Sequence, residues 1–129
     1  MLSLFSATLI HNTVSIPIID AVVSGGNLFE YLSDMVKQYH GQLCIRIAPI
    51  RLRFSLPCKD GNGVKISNQE LQTCLHCTPS FFSDSLCCRY LITKDGNHAA
   101  VILFDDTESL QKRKHLAESL GANYLLFEA

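Results

Sequence analysis

The stretch from Leu86 to Phe127 constrains the fold more than any other part of the chain. Leu86–Thr93 reads as a strand, Lys94-Asp95-Gly96-Asn97 as a tight turn, and His98–Phe104 as a second strand. Asp105–Leu120 then has the pattern of a helix, Gly121 supplies its left-handed stop, and Asn123–Phe127 returns as a strand. A ββαβ unit of this kind belongs to the α/β (α+β) class. It predicts a single mixed β-sheet of about five or six strands with three helices. At 129 residues the chain is read as one globular domain over 1–129 with one sizeable core.

The upstream elements follow from caps and turns. Leu2–Ile10 is an apolar strand candidate, and Val14–Val23 is a second apolar segment interrupted by Pro17. Asn27 with Glu30, Ser67 with Glu70, and Asp105 with Glu108 have the spacing of capping boxes. They place helices at 27–40, 67–77 and 106–120. Leu28, Leu32, Met35, Val36 and Tyr39 share one face of the first helix, which makes it a core-facing element. Across 42–56, Leu43, Ile45 and Ile47 alternate in one phase and Ile50, Leu52, Phe54 and Leu56 in the other. The phase changes at Pro49, where a ladder hydrogen bond must be lost, so a bulge or break is expected there. Lys59-Asp60-Gly61-Asn62-Gly63 is a hairpin turn leading to a short strand at 64–66, and 80–85 reads as a loop.

Composition excludes several function classes. Hydrophobic residues make up 47% and charged residues 18%, which argues for a folded globule rather than a disordered chain. A formal net charge of −1 provides no bulk attraction to nucleic acid or an anionic membrane. The N-terminal segment has no basic n-region and too short an apolar run to span a bilayer. Six cysteines without an export signal read as thiols or ligands rather than disulfides, and the expected location is the cytoplasm.

Three constellations could carry chemistry. Cys74-Leu-His-Cys77 is a C-x-x-C, and Cys87-Cys88 follows it, with Cys58 and His76 as further donors. Four such ligands are what tetrahedral zinc requires. Against it, Cys74 and Cys77 fall inside a predicted helix, and Cys87 and Cys88 must point to opposite faces of a strand. Arg46, Arg51 and Arg53, joined by the basic run Lys112, Arg113 and Lys114, form a candidate phosphate-contacting set. Phe81 and Phe82 are candidate anchors for a protein partner. The five histidines are scattered singly, and no nucleophile elbow, phosphate loop, dinucleotide fingerprint or H-E-x-x-H is present.

Cys88–Asp106 followed by Gln111–Phe127 resembles the C-terminal part of PD-(D/E)xK nuclease-like domains, in which a hairpin, a basic helix and a final strand follow one another. The resemblance implies a metal-binding Asp and a Glu-x-Lys on the hairpin. Here the corresponding positions are Arg89, Leu103 and Asp105. Without two converging carboxylates no water is activated on a metal, so the resemblance implies a degenerate domain that binds without cutting. The resulting expectation is a small non-enzymatic interaction module that docks to a protein partner and has no cofactor. The alternatives are a nucleic-acid-associated accessory domain and a zinc-stabilised binding module.

Overall fold

The computed structural model describes residues 15–23, 25–58 and 61–127. In chain order the elements are β1 (Ile18–Asp20), α1 (Leu28–Gln38), β2 (Cys44–Ile47), β3 (Arg51–Leu56), β4 (Val64–Lys65) and α2 (Asn68–Cys77). They continue as β5 (Phe81–Ser83), β6 (Cys88–Asp95), β7 (His98–Phe104), α3 (Thr107–Ser119) and β8 (Asn123–Leu126). The expected strand at Leu2–Ile10 lies outside the described residues, as do Lys59 and Asp60 of the expected hairpin turn.

Each helix starts where a side chain can satisfy an orphan backbone donor. Asn27 accepts from the Glu30 N–H, Ser67 from the Glu70 N–H, and Asp106 from the Ser109 N–H. At α3 the box is reciprocal, because the Asp106 N–H donates to Ser109 Oγ at 3.0 Å. That box begins one residue later than the Asp105–Glu108 spacing predicts, since Asp105 is engaged in the interior. Gly121, at φ +68°, turns the chain out of α3 in the left-handed conformation that favours glycine.

The mixed α/β class and the three helices stand, but the strands form two sheets rather than one. β1, β2 and β8 make a parallel sheet in the order β1-β2-β8, and the rest make an antiparallel sheet in the order β4-β3-β7-β6-β5. The sheets part at Pro49. Ile47 still pairs with Leu126 of β8, and two residues past Pro49 Arg51 pairs with Phe104 of β7. A residue without an N–H cannot continue the first ladder, so the chain leaves one sheet and enters the other. A second difference lies at 80–85. Phe81–Ser83 is not a loop but the edge strand β5, paired with β6 so that Phe81 lies opposite Tyr90. Their rings meet at a centroid distance of 5.7 Å.

Alternation decides what each sheet buries. Ile19, Ile45 and Tyr124 are in register across the parallel sheet and face Leu28 and Leu32 of α1 and Ala117 of α3. Asp20 and Arg46 lie on the opposite face, exposed. In the antiparallel sheet, Leu91, Ile102 and Phe104 pack against Ile66 and Leu71, the latter on α2. A third cluster, Ile50, Phe54, Cys88 and Leu103 with Val22 and Leu86 against it, fills the space where the two sheets meet. No helix among the described residues is long and apolar enough to cross a membrane.

Candidate functional site

Arg113 is the anchor of the region where the sheets meet. Ser109, Arg113 and Ala117 recur every four residues along α3 and form its buried stripe. The Arg113 guanidinium, 1% exposed, donates to both carboxylate oxygens of Asp105 at 2.6 and 2.7 Å. It also donates to the Ala48 carbonyl at 2.9 Å and the Cys87 carbonyl at 3.2 Å. Asp105 further accepts from the Ile50 N–H at 2.8 Å and from Ser109 Oγ at 2.5 Å. Four donors thus saturate one buried carboxylate, a planar bidentate arrangement that only arginine can supply. The reading of Arg113 as part of a phosphate-contacting surface is therefore corrected: its charge is consumed inside the molecule.

A cleft of about 690 Å³ opens beside this anchor. Its floor comes from the carboxyl ends of the parallel strands, and its wall from β3, β4 and the start of α2. Asp20 and Arg46, register partners on β1 and β2, meet at 3.1 Å, and the Arg46 guanidinium also lies over the Phe127 ring at 5.1 Å. Arg51, Lys65 and Asn68 line the wall, with Leu52, Ile66 and Leu71 as its apolar part. Asp105 reaches the same cleft but is committed to Arg113.

The residues singled out from sequence are thereby sorted. Arg46 and Arg51 share the cleft, whereas Arg53 is held in an ion pair with Glu70 of α2 and lies outside the lining. Lys112 sits on the opposite flank of the anchor, 4.1 Å from the Phe82 ring centroid and 3.5 Å from Glu108. Lys114 is half-buried on α3. Phe82 packs into the core around α1 and α3, while Phe81 remains exposed on β5 beside Tyr90. The six-residue phosphate set is not one surface.

The cysteines do not converge either. Cys74 packs with the α2 cluster, Cys87 with the parallel-sheet core and Cys88 with the cluster between the sheets, while Cys77 is exposed. Among the described residues no group of three or more His, Cys, Asp or Glu side chains could hold a metal ion. Burial pushes the Cys44 and Cys87 thiols up, and burial with the nearby Asp105 charge pushes Cys88 up to about 12. Thiols held in this way stay protonated at neutral pH and act as small apolar groups.

Asp20, Lys65 and Asn68 were not recognisable as a site beforehand. They lie on three different elements and share no motif, and the only local signal was Asp20 breaking an apolar run at a strand end.

No family model matches the sequence, and no curated protein matches it. Solved structures do resemble it. The chain is 12% identical to a proposed sporulation-specific glycosylase, YdhD, of Bacillus subtilis, with a TM-score of 0.65 over 91% of this chain and 45% of that one. It is 14% identical to the spore cortex-lytic enzyme SleL of Bacillus cereus, with a TM-score of 0.63 over 91% of this chain and 32% of that one. SleL of Bacillus megaterium gives 14% identity and a TM-score of 0.59 over 89% of this chain and 30% of that one. The chain thus spans less than half the length of each. At such identity the likeness is one of fold. It overturns the nuclease-like resemblance, whose hairpin and final strand were expected in one sheet, whereas here β6 and β7 belong to one sheet and β8 to the other. It also overturns the expectation of a non-enzymatic docking module and of a nuclease-derived accessory domain, because the fold is one that lytic enzymes carry.

Proposed function

We propose that this chain is an enzyme-family domain of the glycosylase kind, and that the cleft beside Asp20 and Arg46 holds a glycan. The observation that carries this reading is the position of the cleft. It lies at the carboxyl ends of β1 and β2, where parallel α/β sheets bind their ligands, because loops there can vary without disturbing the sheet. The likeness to a sporulation-specific glycosylase and to cortex-lytic enzymes over nine-tenths of the chain supports the choice of ligand class. The lining suits a polyhydroxylated ligand: Asp20 accepts, Arg46 and Arg51 donate, and Asn68 does both.

Glycosidic bond cleavage generally uses two carboxyl groups flanking the bond. Of the two in this cleft, Asp105 is saturated by four donors, which leaves Asp20 as the one able to turn toward a ligand by releasing Arg46. The test is a titration of the isotope-labelled chain with neutral β-linked gluco- and N-acetylglucosamine oligosaccharides and with carboxylated and sulfated ones, followed by amide chemical shifts. The expected result is saturable binding that moves the amides of Asp20, Arg46, Arg51 and Asn68 and is weakened by Asn68→Ala. Absence of binding by every one of these at roughly 10 mM oligosaccharide, a Kd that corresponds to less than about 3 kcal/mol, would overturn the reading. Shifts confined to residues outside the cleft would do the same.

A further inference from the structure

The charges around the cleft do not cancel, and their surplus says what kind of glycan would fit. Resting on the glycan reading above, we infer that the ligand is an acidic glycan, whose carboxylate or sulfate groups are received by Arg51 and Lys65. Five charged side chains line the cleft: Asp20, Arg46, Arg51, Lys65 and Asp105. Asp20 is matched by Arg46, and Asp105 by the buried Arg113 behind it. Arg51 and Lys65 remain, and among the described residues neither side chain has a hydrogen-bond or ion-pair partner. Two uncommitted cations thus share one concavity in a chain whose formal net charge is −1. Glu70, the acid in the first turn of α2, is taken up by Arg53.

Two further features point the same way. Asn68, the first residue of the ten-residue helix α2, lines the wall beside Arg51, so the positive end of that helix adds to the potential already set by the two side chains. Among the described residues the apolar lining is aliphatic (Val22, Ile50, Leu52, Ile66, Leu71), with no aromatic ring. Aromatic faces are what a site uses to stack the apolar faces of uncharged sugars or of nucleobases. Without them, affinity has to come from charge and hydrogen bonds, which favours a sugar chain bearing fixed anions over a neutral glycan or a single-stranded nucleic acid.

The experiment compares size-matched ligands on the whole chain by calorimetry: a hyaluronan hexasaccharide (carboxylated), a heparin hexasaccharide (sulfated) and an N-acetylglucosamine hexamer (neutral). Inorganic phosphate and a short single-stranded DNA serve as further probes. The expected result is an acidic hexasaccharide bound about tenfold more tightly than the neutral one, with a preference that shrinks as salt rises from about 50 to 500 mM. Arg51→Gln and Lys65→Gln should each weaken it by about fivefold. Lys94→Gln, a charge removed near the far end of β6 and outside the cleft lining, should leave it unchanged. Equal affinity for neutral and acidic hexamers, insensitive to salt, would overturn the inference while leaving the glycan reading intact. Failure of every oligosaccharide to bind would overturn the glycan reading itself. DNA binding more tightly than either acidic glycan through the same two residues, or phosphate competing as well as the hexasaccharides do, would replace the acidic glycan with a different ligand. The salt and ligand comparisons need no substitution, so they decide the matter even if a variant folds poorly.

Discussion

Removing one partner of the Asp105–Arg113 pair and removing both are different experiments. Arg113→Met leaves a carboxylate buried with only the Ile50 N–H and the Ser109 hydroxyl to hold it. The expected loss is about 3–5 kcal/mol in chemical denaturation. Adding Asp105→Asn to that variant should return part of the loss, because the uncompensated charge is gone. Simple additivity of the two single losses would show that the pair is not coupled. Cys88 offers a second test, read against pH. Its thiol, ordinarily at 9.0, is pushed up by burial to about 12 in the folded chain. Below pH 9 both states keep the proton. Above it the unfolded chain loses the proton while the folded chain retains it, so stability should fall as pH rises from about 9 toward 12. Cys44 and Cys87 act in the same direction. Melting temperatures across that range should decline, and Cys88→Ala, although less stable at neutral pH, should decline less steeply.

At the level of elements, α3 depends on its first turn. Asp106→Ala removes the acceptor for the Ser109 N–H and should cost about 1 kcal/mol, measurable by thermal melting. Ser109→Ala should cost more, since the same hydroxyl also donates to Asp105 and receives the Asp106 N–H. The three helices were legible in the sequence because their signals are local: a capping side chain, an apolar stripe and, after α3, a glycine. The hairpin of β6 and β7 was legible for the same reason, with turn chemistry at Gly96 and alternation on either side. Pro49 was legible as an interruption, but not as the boundary between two sheets. A missing N–H says only that one ladder stops. Which strand pairs next is decided by Phe104 and Leu126, more than fifty residues away along the chain. β5 escaped notice because three residues carry no period, and what makes them a strand is Tyr90 across the ladder.

Across the whole molecule, the site was less legible than the fold. Arg46 and Arg51 stood out as exposed arginines, but their companions Asp20, Lys65 and Asn68 join them only after β1, β2, β3, β4 and α2 are assembled. Arg113 was misread for the opposite reason. Between two lysines it resembles a solvated basic run, and only the four-residue spacing to Ser109 and Ala117 marks it as an interior group. The same assembly has a consequence for how such a chain could change over time. Ile50 and Asp105 bracket the whole antiparallel sheet and α2, yet they are joined by a 2.8 Å hydrogen bond, and Arg51 is paired with Phe104 just inside them. The polypeptide departs from the parallel framework and returns at one spot. In between it touches that framework again around 82–87, where the Leu28 N–H donates to the Ser85 carbonyl at 2.7 Å, Arg113 holds the Cys87 carbonyl, and Phe82 and Cys87 pack into the parallel-sheet core. The β3–β4 hairpin and α2, which stand away from those contacts, could therefore be lengthened, shortened or exchanged without moving the ends of β2 or α3. The wall of the cleft that carries Arg51 and Lys65 is then free to diverge between relatives, while the floor that carries Asp20 and Arg46 is bound to the framework.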